Sequence, residues 1–159
     1  FIIHHKRDKR GVYPLWVAVE EMTFGTLSQF YKNMLEADRE GLAQQYFGRK
    51  SVYIENYLQC AVVARNIAAH GGRFYNRTRL SPAVKLPLTM RRNKVDNSSP
   101  FAYFYAIFEL LPDADKFGFI REMEKLFRKY PAAEPSRMGF PVNWKALLNV
   151  PGEPEESDT

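Results

Sequence analysis

A chain of 159 residues has room for one compact domain around a single core, and its 45% apolar and 26% charged content is ordinary for a soluble globular protein. Cys60 is its one cysteine, which excludes an intrachain disulfide and a cysteine-based zinc site within one chain, and no run approaches the roughly 20 apolar residues of a membrane span. The net charge of +5 and a pI near 9.3 favour polyanionic partners without identifying one.

Along the chain, the basic run Lys6-Arg7-Asp8-Lys9-Arg10-Gly11 reads as an exposed loop within residues 1–13. The chain opens on Phe1-Ile2-Ile3 rather than Met, and the expectation is a fragment missing its natural N-terminal part. Pro14 suits the first turn of a short helix over Leu15 to Met22. Thr26 is the expected N-cap of a helix over Leu27–Glu36, whose Leu27, Phe30, Tyr31, Met34 and Leu35 form an amphipathic stripe. Asp38 is the expected cap of Arg39–Phe47, ended by Gly48.

Ser51 opens the longest helical pattern, Val52 to Ala69, which is nearly apolar around its middle and therefore central. Cys60 within it reads as a small buried hydrophobe, in keeping with a reducing, cytoplasmic setting. Gly71-Gly72 stops the helix, one of the two taking the left-handed conformation. Residues 73–99, rich in Arg, Asn, Ser and Pro, read as a long basic loop; a connection of that length is commonly functional or mobile. Phe101–Leu111 is an aromatic helix, Asp115 the expected cap of a further one reaching Tyr130, and Trp144–Asn149 a last short turn. The pattern predicts an all-α fold, a single domain over residues 1–150 and a flexible acidic tail over 151–159.

The stretch Arg65-Asn66-Ile67-Ala68-Ala69-His70 carries the candidate chemistry. Asn66 and His70 are one turn apart on one face, whereas Arg65 lies about 140° around from His70, so the latter two meet only if the helix frays or a second copy faces it. Histidine exchanges protons near neutrality and can serve a ribose 2′-OH or a leaving 5′-oxygen. Arginine offers a fork of donors to phosphate charge, and Asn66 can orient the imidazole. Arg73, Tyr75, Asn76 and Arg77 extend this surface, with Phe74 and Tyr75 as candidate stacking faces for bases. The structural alternative pairs Arg65 with Glu55, Glu20 or Glu21, makes His70 a helix C-cap, and leaves Phe74 and Tyr75 as packing residues.

Arg65-Asn66-x-x-x-His70 resembles the Arg-(four to six residues)-His motif of the HEPN superfamily. Arg65 to Arg77 as a whole resembles the Arg-Asn-x-x-Ala-His-x-x-Arg-(aromatic)-(aromatic)-Asn-Arg signature of the Abi-like, abortive-infection family. Upstream, Pro14-Leu15-Trp16 and Glu20-Glu21-Met22-Thr23-Phe24-Gly25-Thr26-Leu27-Ser28 resemble a second block of that family, and His4-His5 is similar too. The resemblance covers residues 1–80. It departs from the family in the small residues Ala68, Ala69, Gly71 and Gly72, where relatives carry a bulkier one.

The resemblance implies a HEPN-like helical bundle, commonly a homodimer, in which Arg65, His70 and Asn66 form a metal-independent endoribonuclease site at the dimer cleft. It implies a phage-defence effector or toxin acting on RNA, with an antitoxin or guide RNA as a further partner and no cofactor, metal or membrane. The alternative from a different class is a non-catalytic RNA-binding module of a defence or toxin–antitoxin system.

Overall fold

A computed structural model describes residues 15–148, and every regular element among them is helical. In chain order these are α1 (Leu15–Glu20), α2 (Phe24–Lys32), α3 (Glu36–Phe47), α4 (Ser51–Ala69), α5 (Leu88–Arg92), α6 (Pro100–Leu110), α7 (Asp113–Lys129) and α8 (Trp144–Leu148). A 3-10 turn at Pro135–Met138 precedes α8. The all-α expectation holds, and among the described residues no helix is long and apolar enough to cross a membrane. The expected basic loop over 1–13 and acidic tail over 151–159 lie outside the described residues.

Helix starts follow hydrogen-bonding groups more than residue type. Thr23, not Thr26, caps α2: its Oγ1 accepts the Thr26 N–H at 3.1 Å, so the helix begins three residues earlier than expected. The Thr26 hydroxyl is engaged by the Thr23 hydroxyl at 2.8 Å. Asp38 and Asp115 are not caps either. With Glu36 and Asp113 they sit inside the first turns of α3 and α7, where a carboxylate favours the positive end of the helix dipole. α4 takes its cap from a neighbour, the Glu40 carboxylate of α3 accepting the Ser51 N–H at 2.9 Å. Ser99 caps α6 through Oγ, with Pro100 in the first turn where a missing N–H costs nothing.

α4 packs most extensively on α6 and more lightly on α2 and α3, which makes it central. Ile54, Tyr57, Cys60 and Ala64 on α4 meet Phe101, Tyr103, Tyr105 and Phe108 on α6 in one core. Tyr57 and Tyr105 stand edge to face at 5.9 Å. The chain after α7 returns to this core through Phe140, 4.8 Å from Phe101 and edge-on to Trp144 at 5.5 Å.

The long basic connection after α4 is not a loose loop. Leu80, Val84, Leu86 and Met90 are buried in the core, while Arg79, Ser81, Ala83 and Lys85 point out, the alternation of an extended strap. Buried side chains of α4 and α6 hold its backbone. Asn56 donates to Ala83 O at 3.1 Å and accepts the Lys85 N–H at 2.7 Å. Tyr57 donates to Lys85 O at 3.1 Å, and Tyr103 to Pro82 O at 2.7 Å. The strap lies in no sheet; these side chains, together with the Ser98 and Asn97 carbonyls, take up its peptide groups.

Two outcomes test this packing. Asn56→Ala leaves two strap peptide groups unsatisfied and should cost about 2 kcal/mol, read as a lower urea midpoint together with new proteolysis between Ser81 and Leu86. Burial pushes the Cys60 thiol up to about 12, so it stays protonated at neutral pH. A thiol reagent at pH 8 should therefore modify Cys60 only at the rate of unfolding, and fast labelling of the folded chain would contradict the packing.

Candidate functional site

α4 leaves the core as it ends. Ala61 and Ala64 are buried, but Arg65, Asn66, Ala68, Ala69 and His70 are exposed. The helix stops in a Schellman turn: the Gly72 N–H bonds Ile67 O at 2.7 Å and the Gly71 N–H bonds Ala68 O at 3.1 Å. Gly71 is the residue in the left-handed region, at φ +66°. A Cβ on Gly72 would sit 2.8 Å from Ile67 O, so both glycines are required by the turn itself. That accounts for two of the small residues in this stretch without invoking a helix neighbour.

His70 is the C-cap residue, its backbone N–H bonded to Asn66 O at 3.1 Å and its ring facing solvent. Its imidazole has no hydrogen bond or ion pair among the described residues. Arg65 Nη1 donates to Asn66 Oδ1 at 3.2 Å. None of the acids offered by the structural alternative is paired with Arg65 among the described residues, and Glu55 is taken by Arg39 at 2.9 Å. Arg65 and Asn66 are thus joined. Arg65 and His70 are not joined within one chain, as their angular separation dictates.

Beyond the turn, Phe74 stacks on Phe104 of α6 at a centroid distance of 5.5 Å and fixes where the chain goes next. Tyr75 is half-buried beside Met123 and Phe127 of α7. Asn76 adopts φ +56°, a conformation asparagine tolerates, and the Arg77 N–H closes a turn on Phe74 O at 3.2 Å. Arg73, Asn76 and Arg77 are all exposed, on the same connection that leads away from His70.

Two features were not anticipated. Arg65 borders an apolar groove of about 520 Å³ formed with Ala61, Ala68, Phe24, Phe104 and Ile107. A second apolar groove of about 590 Å³ joins it through Phe47, Leu58 and Leu110. Its signal in sequence is the stripe Ile54, Leu58, Ala61, Arg65, Ala68, which runs at intervals of three and four along α4. At the other end of α4, the Arg49 guanidinium pairs with Glu109 at 2.6 Å between two clefts. Nothing in the spacing of positions 49 and 109 announces that pair. Among the described residues no three His, Cys, Asp or Glu side chains come together as a metal site.

The described residues thus define an all-helical domain whose central helix ends in a solvent-facing Arg–Asn–His constellation flanked by further arginines. Residues 1–76, through α4 and the His70 turn, match the model of the family described as Abi-like protein. No curated protein and no solved structure matches the chain.

The turn can be tested without touching the polar side chains. Gly71→Ala should lower stability by about 1–2 kcal/mol through the left-handed backbone, and Gly71→Asn by clearly less. Thermal melting compares them, and equal melts would show that the turn does not require this conformation.

Proposed function

We propose that the chain is an abortive-infection effector that acts on RNA through Arg65, Asn66 and His70, two copies together making a metal-independent endoribonuclease site. The observation that carries this reading is the exposure of all three side chains at one helix end, within the Abi-like segment and with no carboxylate against Arg65 or His70 among the described residues. A phosphodiester can reach an imidazole and a guanidinium placed in this way.

In the proposed reaction a ribose 2′-oxygen attacks the adjacent phosphorus. His70 takes the 2′ proton, and the P–O5′ bond breaks to give a cyclic phosphate and a 5′-hydroxyl. The proton needed by the leaving 5′-oxygen comes from the His70 of a second copy, since one imidazole cannot be base and acid in the same step. Arg65 stabilises the charge that builds on the phosphoryl oxygens, and Asn66 holds the guanidinium through its side-chain oxygen. Arg73, Asn76 and Arg77 bind flanking phosphates, and Tyr75 offers the exposed part of its ring to a base. The open apolar groove beside Arg65 supports a face that is covered in the working assembly. An antitoxin or guide RNA is a further proposed partner, and the proposed setting is the cytoplasm.

His70→Ala and Arg65→Ala should each lower RNA cleavage by about 10²–10⁴-fold with an unchanged melting temperature. Cleavage that survives both substitutions removes the enzymatic reading. RNA binding without turnover in the unaltered chain assigns the same surface to a non-catalytic RNA-binding module.

A further inference from the structure

No Asp or Glu occurs between Glu55 and Asp96, while Arg and Lys occur there throughout. Five of these cations lie past the candidate site: Arg79 and Lys85 on the strap, and Arg91, Arg92 and Lys94 at α5. All five are exposed, and none is ion-paired among the described residues. Elsewhere Arg39, Arg49, Lys116, Lys125 and Arg137 each hold a carboxylate. The connection thus carries five exposed cations with no ion pair among the described residues and no carboxylate of its own, whereas several cations outside it are paired.

The backbone that carries these charges is fixed in place. Besides the Asn56, Tyr57 and Tyr103 bonds, the Leu80 N–H bonds Ser98 O and the Val84 N–H bonds Asn97 O, both at 2.8 Å. Leu80, Val84 and Leu86 face the core, which turns Arg79 and Lys85 outward. The strap also has a direction. It leaves the His70 end of α4, lies level with Cys60 and then Asn56, and delivers α5 to the cleft that Arg49 lines at the opposite end. At 1.5 Å per helical residue, the run from His70 back to Arg49 spans about 30 Å.

We propose that the strap and α5 form a track for the phosphate backbone of a single RNA strand, running antiparallel to α4 from the His70 end toward Arg91, Arg92 and Lys94. This rests on the RNA reading of the His70 site and extends it to a binding length. A cationic segment with no carboxylate of its own, spread over this distance, suits a polyphosphate, whose bound counterions each contact would release. A bilayer is a poorer match. Leu88 is the one large apolar side chain markedly exposed along residues 71–99, and membrane-surface binding needs an apolar face.

The test is fluorescence anisotropy of the full chain with unpaired RNAs of four and twelve nucleotides across a salt series. The variants are Lys85→Ala and the pair Arg91→Ala/Arg92→Ala, with Arg121→Ala/Arg128→Ala, exposed cations of α7, as the control. The twelve-nucleotide RNA should bind the unaltered chain more tightly than the four-nucleotide one. Each track variant should weaken the longer RNA by about three- to tenfold at low salt, lower its log–log salt slope by about 0.7 per removed contact, and leave the melting temperature unchanged. The control should do neither. Equal affinity for the two lengths, or track variants that match the control, overturns the track while leaving the His70 site standing. A duplex of the same length that competes as well as the single strand also overturns it. Absence of RNA binding at low salt removes both readings together.

Discussion

Much of the fold turns on one polar side chain buried in an apolar helix. Asn56 exchanges two hydrogen bonds with the backbone of the strap, at 2.7 and 3.1 Å, from a position with 8% exposure. Alone it contributes modestly, since a net intramolecular hydrogen bond is worth about 1 kcal/mol. Its importance is geometric. An extended segment without a sheet partner has peptide groups that must be satisfied, and side chains of known position can satisfy them only in one register. That register puts Leu80, Val84 and Leu86 into the core, which in turn closes the interior of α4 against α6.

The same constraint divides α4 by function. Its middle is committed on several sides: α6 packs on it, the strap is bonded to it, and Glu55 is engaged by Arg39 of α3. Past Ala64 the helix exposes most of its residues, Ile67 still packing on the core, and there the residue types change from Cys, Ala and Val to Arg, Asn and His. The Schellman turn then reverses the chain within two glycines, so that Arg73 and Arg77 lie just past the helix terminus. The apolar groove next to Arg65 has the opposite character, being open hydrocarbon in continuity with the core. Arg65 lies on that boundary, lining the groove while exposed to solvent.

How much of this was legible depended on whether the signal was local. The helical class, the central helix and its glycine stop rest on periodicity and backbone freedom, which neighbouring residues determine, and they came through to within a few residues. The misplaced starts share a cause. The side chains of Thr26, Asp38 and Asp115 can all cap, but the competing hydroxyl of Thr23 and the proline before Asp113 decide which position is used at α2 and α7. Ser51 opens α4 as read, yet with an amide that Glu40 satisfies from another helix. The strap was the larger loss. Its Pro, Asn and Arg content looked like loop, and the alternation of Leu80, Val84 and Leu86 is short enough to pass unnoticed. Nothing in the spacing of α4 marks Asn56 as the group that bonds the strap. For the candidate site, the solvent-facing placement of Arg65, Asn66 and His70 agrees with helical arithmetic, whereas the groove beside Arg65 needed the positions of α2, α3 and α6.

A domain selected for stability alone has no use for such a distribution of charge. Like charges on an ordered segment repel, and the repulsion grows when mobility is removed, because the side chains can no longer separate by moving the backbone. Some cations elsewhere show the ordinary remedy, a carboxylate three residues away, as at Lys116, Lys125 and Arg137. The strap lacks that remedy among the described residues, and buried hydrogen bonds hold its backbone in place. Places where a fold is locally inconsistent with its own stability are where function is expected to reside. Here the inconsistency has a sign, and a bound polyanion is the kind of partner that would relieve it.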